Sequence, residues 1–284
     1  MTDIIENIKI GAFMAKLNLV GTPIGNLGDI TLRALETLRT VDVIACEDTR
    51  HSLRLLNFYQ IKKPLIACHK FNERESVDKI CALIEAGKEV ALITDAGMPC
   101  ISDPGAILVN ELISRGVEIT VVPGATAVTS AIALSGICQP IFTFIGFLPT
   151  KNKDRLALLT PFKDVKTSLV FYSSPYDVNK DIAYLYSVLG DRELHIVREL
   201  TKIHEEHIST TLSRAELESP KGEYVLIVEC AKEERQPKQS VSIERQLCEL
   251  LDSGMDKKEA IKQVAKSNNL TKDEVYKVAL SMKK

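Results

Sequence analysis

The 284-residue chain has no apolar run long enough to cross a bilayer, which removes the helical membrane-spanning class. It has no C-x-x-C pair; its seven cysteines are odd in number and scattered. That pattern argues against a disulfide framework and against zinc spacing. The cysteines read as small buried side chains in a reducing cytosol, and no metal is expected. A basic excess is missing too: 36 Lys and Arg stand against 38 Asp and Glu, a formal net charge of −2. The total gives no support to a nucleic-acid partner, although a local patch can bind phosphate while the total stays near zero. Residues 1–16 carry Asp3 and Glu6, lack a secretory pattern, and read as an extension of a cytoplasmic protein. Two common glycine signatures are also absent. The first turn, Gly21-Thr22-Pro23-Ile24-Gly25-Asn26-Leu27-Gly28-Asp29, is neither G-x-G-x-x-G nor G-x-x-x-x-G-K-[ST], so the dinucleotide and P-loop readings fail. Pro23 removes an N–H that a phosphate cradle could use.

What is present is ordinary globular material, 45% hydrophobic and 26% charged, long enough for two domains and a small third. Apolar strand-like runs recur at Leu17–Val20, 41–46, Leu65–Ala67, Val90–Ile93 and Ile119–Val122. Between them lie helical periodicities, including a stripe of Leu32, Leu35 and Leu38. Asn72 with Glu75 forms a capping box, and Asp103-Pro104 reads as an N-cap with proline at the first helical position. Strand–helix alternation with nearly continuous apolar strands predicts a parallel α/β sheet in residues 17–140. Gly146, Pro149 and the polar run 151–154 mark a change of domain. A second α/β domain is predicted for 141–231, with strands at 169–172, 195–197 and Tyr224–Val228 and a helix opened by Ser174-Pro175. Residues 232–241 are charged and apolar-poor, a linker. Three helical periodicities then fill 242–284, with capping boxes at Asp256/Glu259 and Thr271/Glu274. They predict a small helix-turn-helix-like module, a helical appendage and a nucleic-acid reader being equally open.

The chemistry is concentrated in three loops. After the first strand comes the turn at 21–29; after the fourth, Thr94-Asp95-Ala96-Gly97-Met98-Pro99; after the fifth, Val122-Pro123-Gly124-Ala125-Thr126-Ala127. In a parallel α/β sheet, ligands bind beyond the carboxyl ends of the strands, so three glycine- and proline-bearing loops there form one site.

Together these loops resemble the tetrapyrrole methylase superfamily, over about residues 17–228. The segments Glu47-Asp48-Thr49-Arg50, Gly146-Phe147-Leu148-Pro149 and 198–206 (R-E-L-T-K-I-H-E-E) resemble the ribosomal RNA small subunit methyltransferase I branch. Pigment-making members carry G-x-G-P-G-D in the first turn, which this chain lacks. The resemblance implies two α/β domains with S-adenosylmethionine in the cleft between them, usually as a homodimer. It implies methylation of a cytidine ribose 2′-hydroxyl in the decoding region of 16S rRNA, on free RNA or on the assembled small subunit. Its implied cofactor set is Pro23, Asp95, Ala96, Gly97, Met98, Thr126, Ala127, Tyr172 and Ser173. One segment departs: where the family has Tyr-Glu-Ser-Pro-His-Arg, this chain has Tyr172-Ser173-Ser174-Pro175-Tyr176-Asp177.

A ribose hydroxyl is a poor nucleophile while protonated, so polar groups on the same rim are candidates to orient or deprotonate it. Lys202, Glu205 and Glu47 are the catalytic candidates, with Asp48, His69, Glu73 and Glu206 nearby. Arg50, Lys70 and Arg198 are candidate phosphate contacts. The bland alternative is that the charges of 198–206 pair with one another across a strand. Two rival functions stand beside this reading: a small-molecule tetrapyrrole-precursor methylase, and a non-catalytic RNA-binding cofactor sensor.

Overall fold

Central strands buried at every position cannot leave either face to water, and the structure covers both. The computed structural model describes residues 15–69, 73–137, 141–230, 243–268 and 270–281. Strands β1 (Leu17–Val20), β2 (Val43–Cys46), β3 (Leu65–Ala67), β4 (Val90–Ile93) and β5 (Ile119–Val122) form a parallel sheet in the order β3-β2-β4-β1-β5. Every residue of β2 and β4 is buried. Helices α1 (Leu32–Thr40) and α2 (Thr49–Phe58) cover one face through Ala34, Leu38 and Leu56. Helices α3 (Glu73–Glu85) and α4 (Ala106–Ser114) cover the other through Ile80, Ile84, Leu108 and Leu112.

The second sheet is mixed. Its strands are β6 (Phe142–Phe147), β7 (Ser168–Ser173), β8 (Glu193–Arg198), β9 (Glu206–Thr211) and β10 (Tyr224–Val228), in the order β6-β7-β10-β8-β9. Strands β6 and β7 run parallel; the other pairings are antiparallel. One face packs on α7 (Val178–Leu189) through Ile182, Leu185 and Leu189, with Leu159 of α6 (Asn152–Leu159). The opposite face carries Val170, Val197, Val225 and Ile227, and these pack on Val128 and Ala131 of α5 (Ala127–Ser135). Helix α5 follows the last strand of the first sheet yet supplies the core of the second. The chain accordingly divides into residues 1–231 and residues 232–284.

The second unit is three helices, α8 (Ile243–Asp252), α9 (Lys257–Asn268) and α10 (Lys272–Ser281), around Leu247, Ile261, Val264 and Val275. Thr271 and Glu274 form the expected reciprocal box: the Glu274 carboxylate accepts from the Thr271 N–H at 2.8 Å, and Thr271 Oγ1 from the Glu274 N–H at 3.4 Å. Asp256 accepts from the Lys258 N–H at 3.0 Å. The linker at 232–241 and Asn72 of the other expected box lie outside the described residues.

Four sequence expectations need correction. Leu32 is 86% exposed, because Ala34 and Leu38 are the buried positions of α1. Strands β6 and β9 were not expected: Gly146 breaks the register of β6, and β9 is a polar edge strand, E-H-I-S-T-T. Helix α4 starts at Ala106 behind Gly105, two residues beyond the expected Pro104, since Asp103 is drawn to other polar groups. Helix α7 starts at Val178, because Ser174 first closes a turn that accepts from the N–H groups of Asp177 and Val178.

Candidate active site

The sheet order places β1 between β4 and β5, so the turns leaving those three strands meet at one carboxyl edge. They are joined by backbone. Thr22 and Gly97 exchange N–H···O bonds of 2.9 and 3.2 Å, and the buried Thr22 hydroxyl donates to the Thr94 carbonyl at 3.1 Å. The Gly21 N–H donates to the Val122 carbonyl at 3.0 Å. A Cβ on Gly21 would lie 2.7 Å from Gly124 Cα and from Met98 Sδ, and one on Gly124 would lie 2.9 Å from Gly21. The absence of side chains at 21 and 124 is therefore what allows two turns to touch backbone to backbone.

The loop after β4 is bent hard. Gly97, Cys100, Ser102 and Gly105 all have positive φ, at 86°, 69°, 65° and 122°. Cys100 and Ser102 are strained there, and such residues gather where a loop is over-determined by its surroundings. The bend turns Asp103 inward. Burial, then the charge of Glu47 and, more weakly, that of Asp95 push the Asp103 carboxyl up to about 6, although a hydrogen bond to Thr94 opposes the rise. Glu47 itself accepts from Thr94 Oγ1 at 2.9 Å, and Asp95 accepts from the Asp48 N–H at 3.3 Å. Thr94 thus joins two carboxyl groups, Glu47 from the end of β2 and Asp103 from the loop after β4, with Asp95 next to it in the chain.

The second sheet closes over this group. Tyr172, at the end of β7, is half-buried, and burial, then the charge of Asp103, push its phenol up to about 12 while the Val128 N–H bonds to it. Its ring contacts Phe144 and Phe147 at centroid separations of 5.0 and 5.5 Å. From the other side comes the turn between β8 and β9. A Cβ on Gly25 would lie 2.5 Å from Lys202 Cγ, so the lysine stem rests on the first turn. Lys202 Nζ donates to Glu199 at 2.7 Å and Glu223 at 2.9 Å. Burial works against its charge, but these two carboxylates outweigh it and raise the lysine above its ordinary range.

Of the expected cofactor residues, Pro23, Asp95, Ala96, Gly97, Met98, Thr126, Ala127 and Tyr172 fall on or beside these loops. Thr126 Oγ1 is occupied as the N-cap of α5, accepting from the Thr129 N–H at 3.3 Å. Ser173 is different: its hydroxyl is buried and donates to Asp181 at 2.6 Å, inside the second sheet's own packing. Among the catalytic candidates, Lys202 and Glu47 reach the loops. Glu205 is taken up in its own turn, accepting from the Thr201 N–H at 2.6 Å. Arg198 pairs with Glu206 at 3.4 Å across β8 and β9, as the cross-strand alternative expects. Arg50 is 87% exposed and paired with Asp48 at 2.9 Å, which holds the Asp48 carboxyl down at about 2. Lys70 lies outside the described residues, as does the side chain of Glu73. Sequence reading missed Asp103, taking it as a helix cap; the adjoining Asp95 and the run Cys100-Ile101-Ser102 with no helical period were the available signal.

The raised Asp103 carboxyl makes a stability prediction. Between its unfolded value near 3.8 and about 6 the folded chain holds the extra proton, so its contribution is fully present below 3.8 and lost as pH rises through about 6. Asp103→Asn should therefore stabilise the fold at pH 7 by on the order of 1 kcal/mol, the partial exposure of the group reducing the full effect. It should also flatten the fall in stability between pH 4 and 6. Urea denaturation across that range checks it; an unchanged slope would place the carboxyl in water.

Fold and sequence together place the chain among the tetrapyrrole methylases. The model of the Tetrapyrrole (Corrin/Porphyrin) Methylases matches residues 16–216. A solved diphthine synthase superposes with a TM-score of 0.63 at 15% identity, over 76% of this chain and 90% of that one. A cobalt precorrin-4 methyltransferase does so with a TM-score of 0.55 at 22% identity, over 75% and 94%. Sequence goes further than fold. The ribosomal RNA small subunit methyltransferase I of Thermotoga maritima is 46% identical over 76% of this chain and 98% of its own length. Those of Bacillus subtilis and Synechocystis are each 39% identical, over 93% and 93%, and 95% and 99%, of the two chains. The chain belongs to the ribosomal RNA small subunit methyltransferase I family.

Proposed function

We propose that this protein transfers a methyl group from S-adenosylmethionine to a ribose 2′-hydroxyl of a cytidine in the decoding region of 16S rRNA. The observation that carries the reading is the backbone-joined rim of three loops beneath Tyr172 and Lys202, on a chain whose relatives along nearly its full length bear that family's name. The rim suits the cofactor. Ala96 and Gly97 offer little side chain, which permits close approach of a flat adenosine, and Asp95 supplies an anion for a cationic sulfonium. The cofactor, when bound, supplies an already electrophilic methyl group.

The protein's part is to hold the hydroxyl in line and to take its proton. Positioning of this kind can contribute about 7–11 kcal/mol in favourable cases. Lys202, held charged by Glu199 and Glu223, is a donor and so orients an oxygen. Proton acceptance belongs to the carboxyl group of the Glu47, Asp95 and Asp103 cluster. An acid with a pKa of about 6 is ionised at neutral pH yet more basic than an exposed carboxylate.

The test is incubation of the purified protein with methyl-labelled S-adenosylmethionine and small ribosomal subunits lacking this modification. Label on one ribose 2′-oxygen is the expected result. Cofactor binding with no transfer to subunits or to naked 16S rRNA would overturn the assignment.

A further inference from the structure

A concavity lies at the end of β6, outside the three joined loops. It encloses about 530 Å³ and is bounded by the loop after β6, the turn after β7 and helices α6 and α7. Its walls include Phe147, Asn152, Ser174, Lys180 and Tyr184, over a floor of Arg155 and Asp181. The floor is a buried ion pair. Arg155 and Asp181 meet at 3.0 Å with side chains 11% and 6% exposed, Arg155 also donates to the Pro149 carbonyl, and its guanidinium lies 5.4 Å from the centre of the Tyr184 ring. The Tyr184 hydroxyl donates to the Asn152 carbonyl at 3.0 Å, which fixes the aromatic wall.

Three observations say what such a site takes. Phe147 belongs to both places, lining the concavity and touching the Tyr172 ring, so the two are neighbours along one surface. Phe147 and Tyr184 offer aromatic surface, which every nucleobase can stack on. At the rim the Lys180 side chain is 74% exposed and its Nζ is only loosely matched to Asp177 at 3.7 Å, leaving its charge available to an anion. Aromatic wall, polar edge and rim cation are the parts a nucleotide requires, and the volume admits one nucleotide with water.

We propose that this concavity is a subsite for a nucleotide flanking the methylated one, its base against Phe147 and Tyr184 and its phosphate at Lys180. The proposal rests on the RNA substrate argued above. It explains how a protein with no basic excess can grip RNA: by a few seated nucleotides close to the reacting ribose.

Two exposed positions of α7 allow a test outside the catalytic rim. Lys180→Glu reverses the rim charge, and Ala183→Trp fills the concavity from its edge. Each should raise the KM for small subunits about tenfold or more, leave the cofactor Kd within about twofold, and keep the wild-type melting temperature. Lys180→Glu should also lower the slope of log affinity against log salt by about one. Wild-type subunit KM in both variants overturns the proposal. The second arm needs no methyl transfer: calorimetric titration of the full chain with cytidine 5′-monophosphate. Millimolar binding lost in both variants supports the subsite even if the subunit assay is silent. No heat with wild type, or equal binding in both variants, overturns it.

Discussion

Lys202→Ala should reduce kcat by about 10²-fold or more while changing the affinity for S-adenosylmethionine by no more than about threefold. The reason is geometric. The lysine stem lies on Gly25 of the first turn, and its ammonium is fixed by Glu199 and Glu223, in a turn where Glu199 and Thr201 themselves adopt positive φ of 49° and 67°. Strain of this sort is retained where the position of a group matters. Removal of a donor that acts on the reacting oxygen lowers kcat and kcat/KM together, whereas loss of ground-state binding raises KM alone. Truncation also removes packing, so Lys202→Met is the companion variant: it keeps the stem and loses the charge. If Met restores turnover, the residue is a spacer and its charge has no part in the chemistry. If Ala weakens cofactor and turnover equally, it belongs to cofactor binding instead.

Gly21→Ala should abolish detectable methyl transfer and lower stability by about 1–3 kcal/mol. A methyl group at this position meets Gly124 backbone at 2.7 Å, and backbone cannot rotate aside as a side chain can. The turns after β1 and β5 must part, and the paired N–H···O bonds between Thr22 and Gly97 stretch with them. Gly28→Ala is the control. It lies in the same turn, is exposed, and the nearest atom to its Cβ would be Asn26 Oδ1 at 3.2 Å. It should retain most of the activity. Thermal melting, cofactor titration and turnover on the two variants decide the matter; equal behaviour would mean that contact between the turns is incidental.

The parallel sheet could be read from the chain because its strands are short and apolar on both faces, a pattern few other arrangements tolerate. Val90–Ile93 and Ile119–Val122 were placed to the residue. The second sheet was half legible. Its central strands are apolar, but β9 carries Glu206, His207, Ser209, Thr210 and Thr211, and an edge strand's pairing comes from its neighbour rather than its composition. The loops of the site were legible by their glycines and prolines, since close backbone approach needs both. The acid cluster was not: Glu47 and Asp103 are 56 positions apart in the chain, and only the parallel pairing of β2 with β4 brings them to Thr94. Nor was the buried role of Ser173, whose partner Asp181 sits on the following helix and looks, in sequence, like one more surface acid.

Helix α5 has a consequence for how the molecule can be taken apart. It is encoded with the first sheet and wrapped into the second, where Val128 and Ala131 rest on Val170, Val197, Val225 and Ile227. Severing the chain between α5 and β6 would give an N-terminal piece with a bare apolar helix and a C-terminal piece with a bare sheet face. Neither fragment would be soluble by itself, and each would be the other's missing wall. Co-expressed, they should find one another as two-part enzymes do, with α5 as the tongue and the second sheet as the groove.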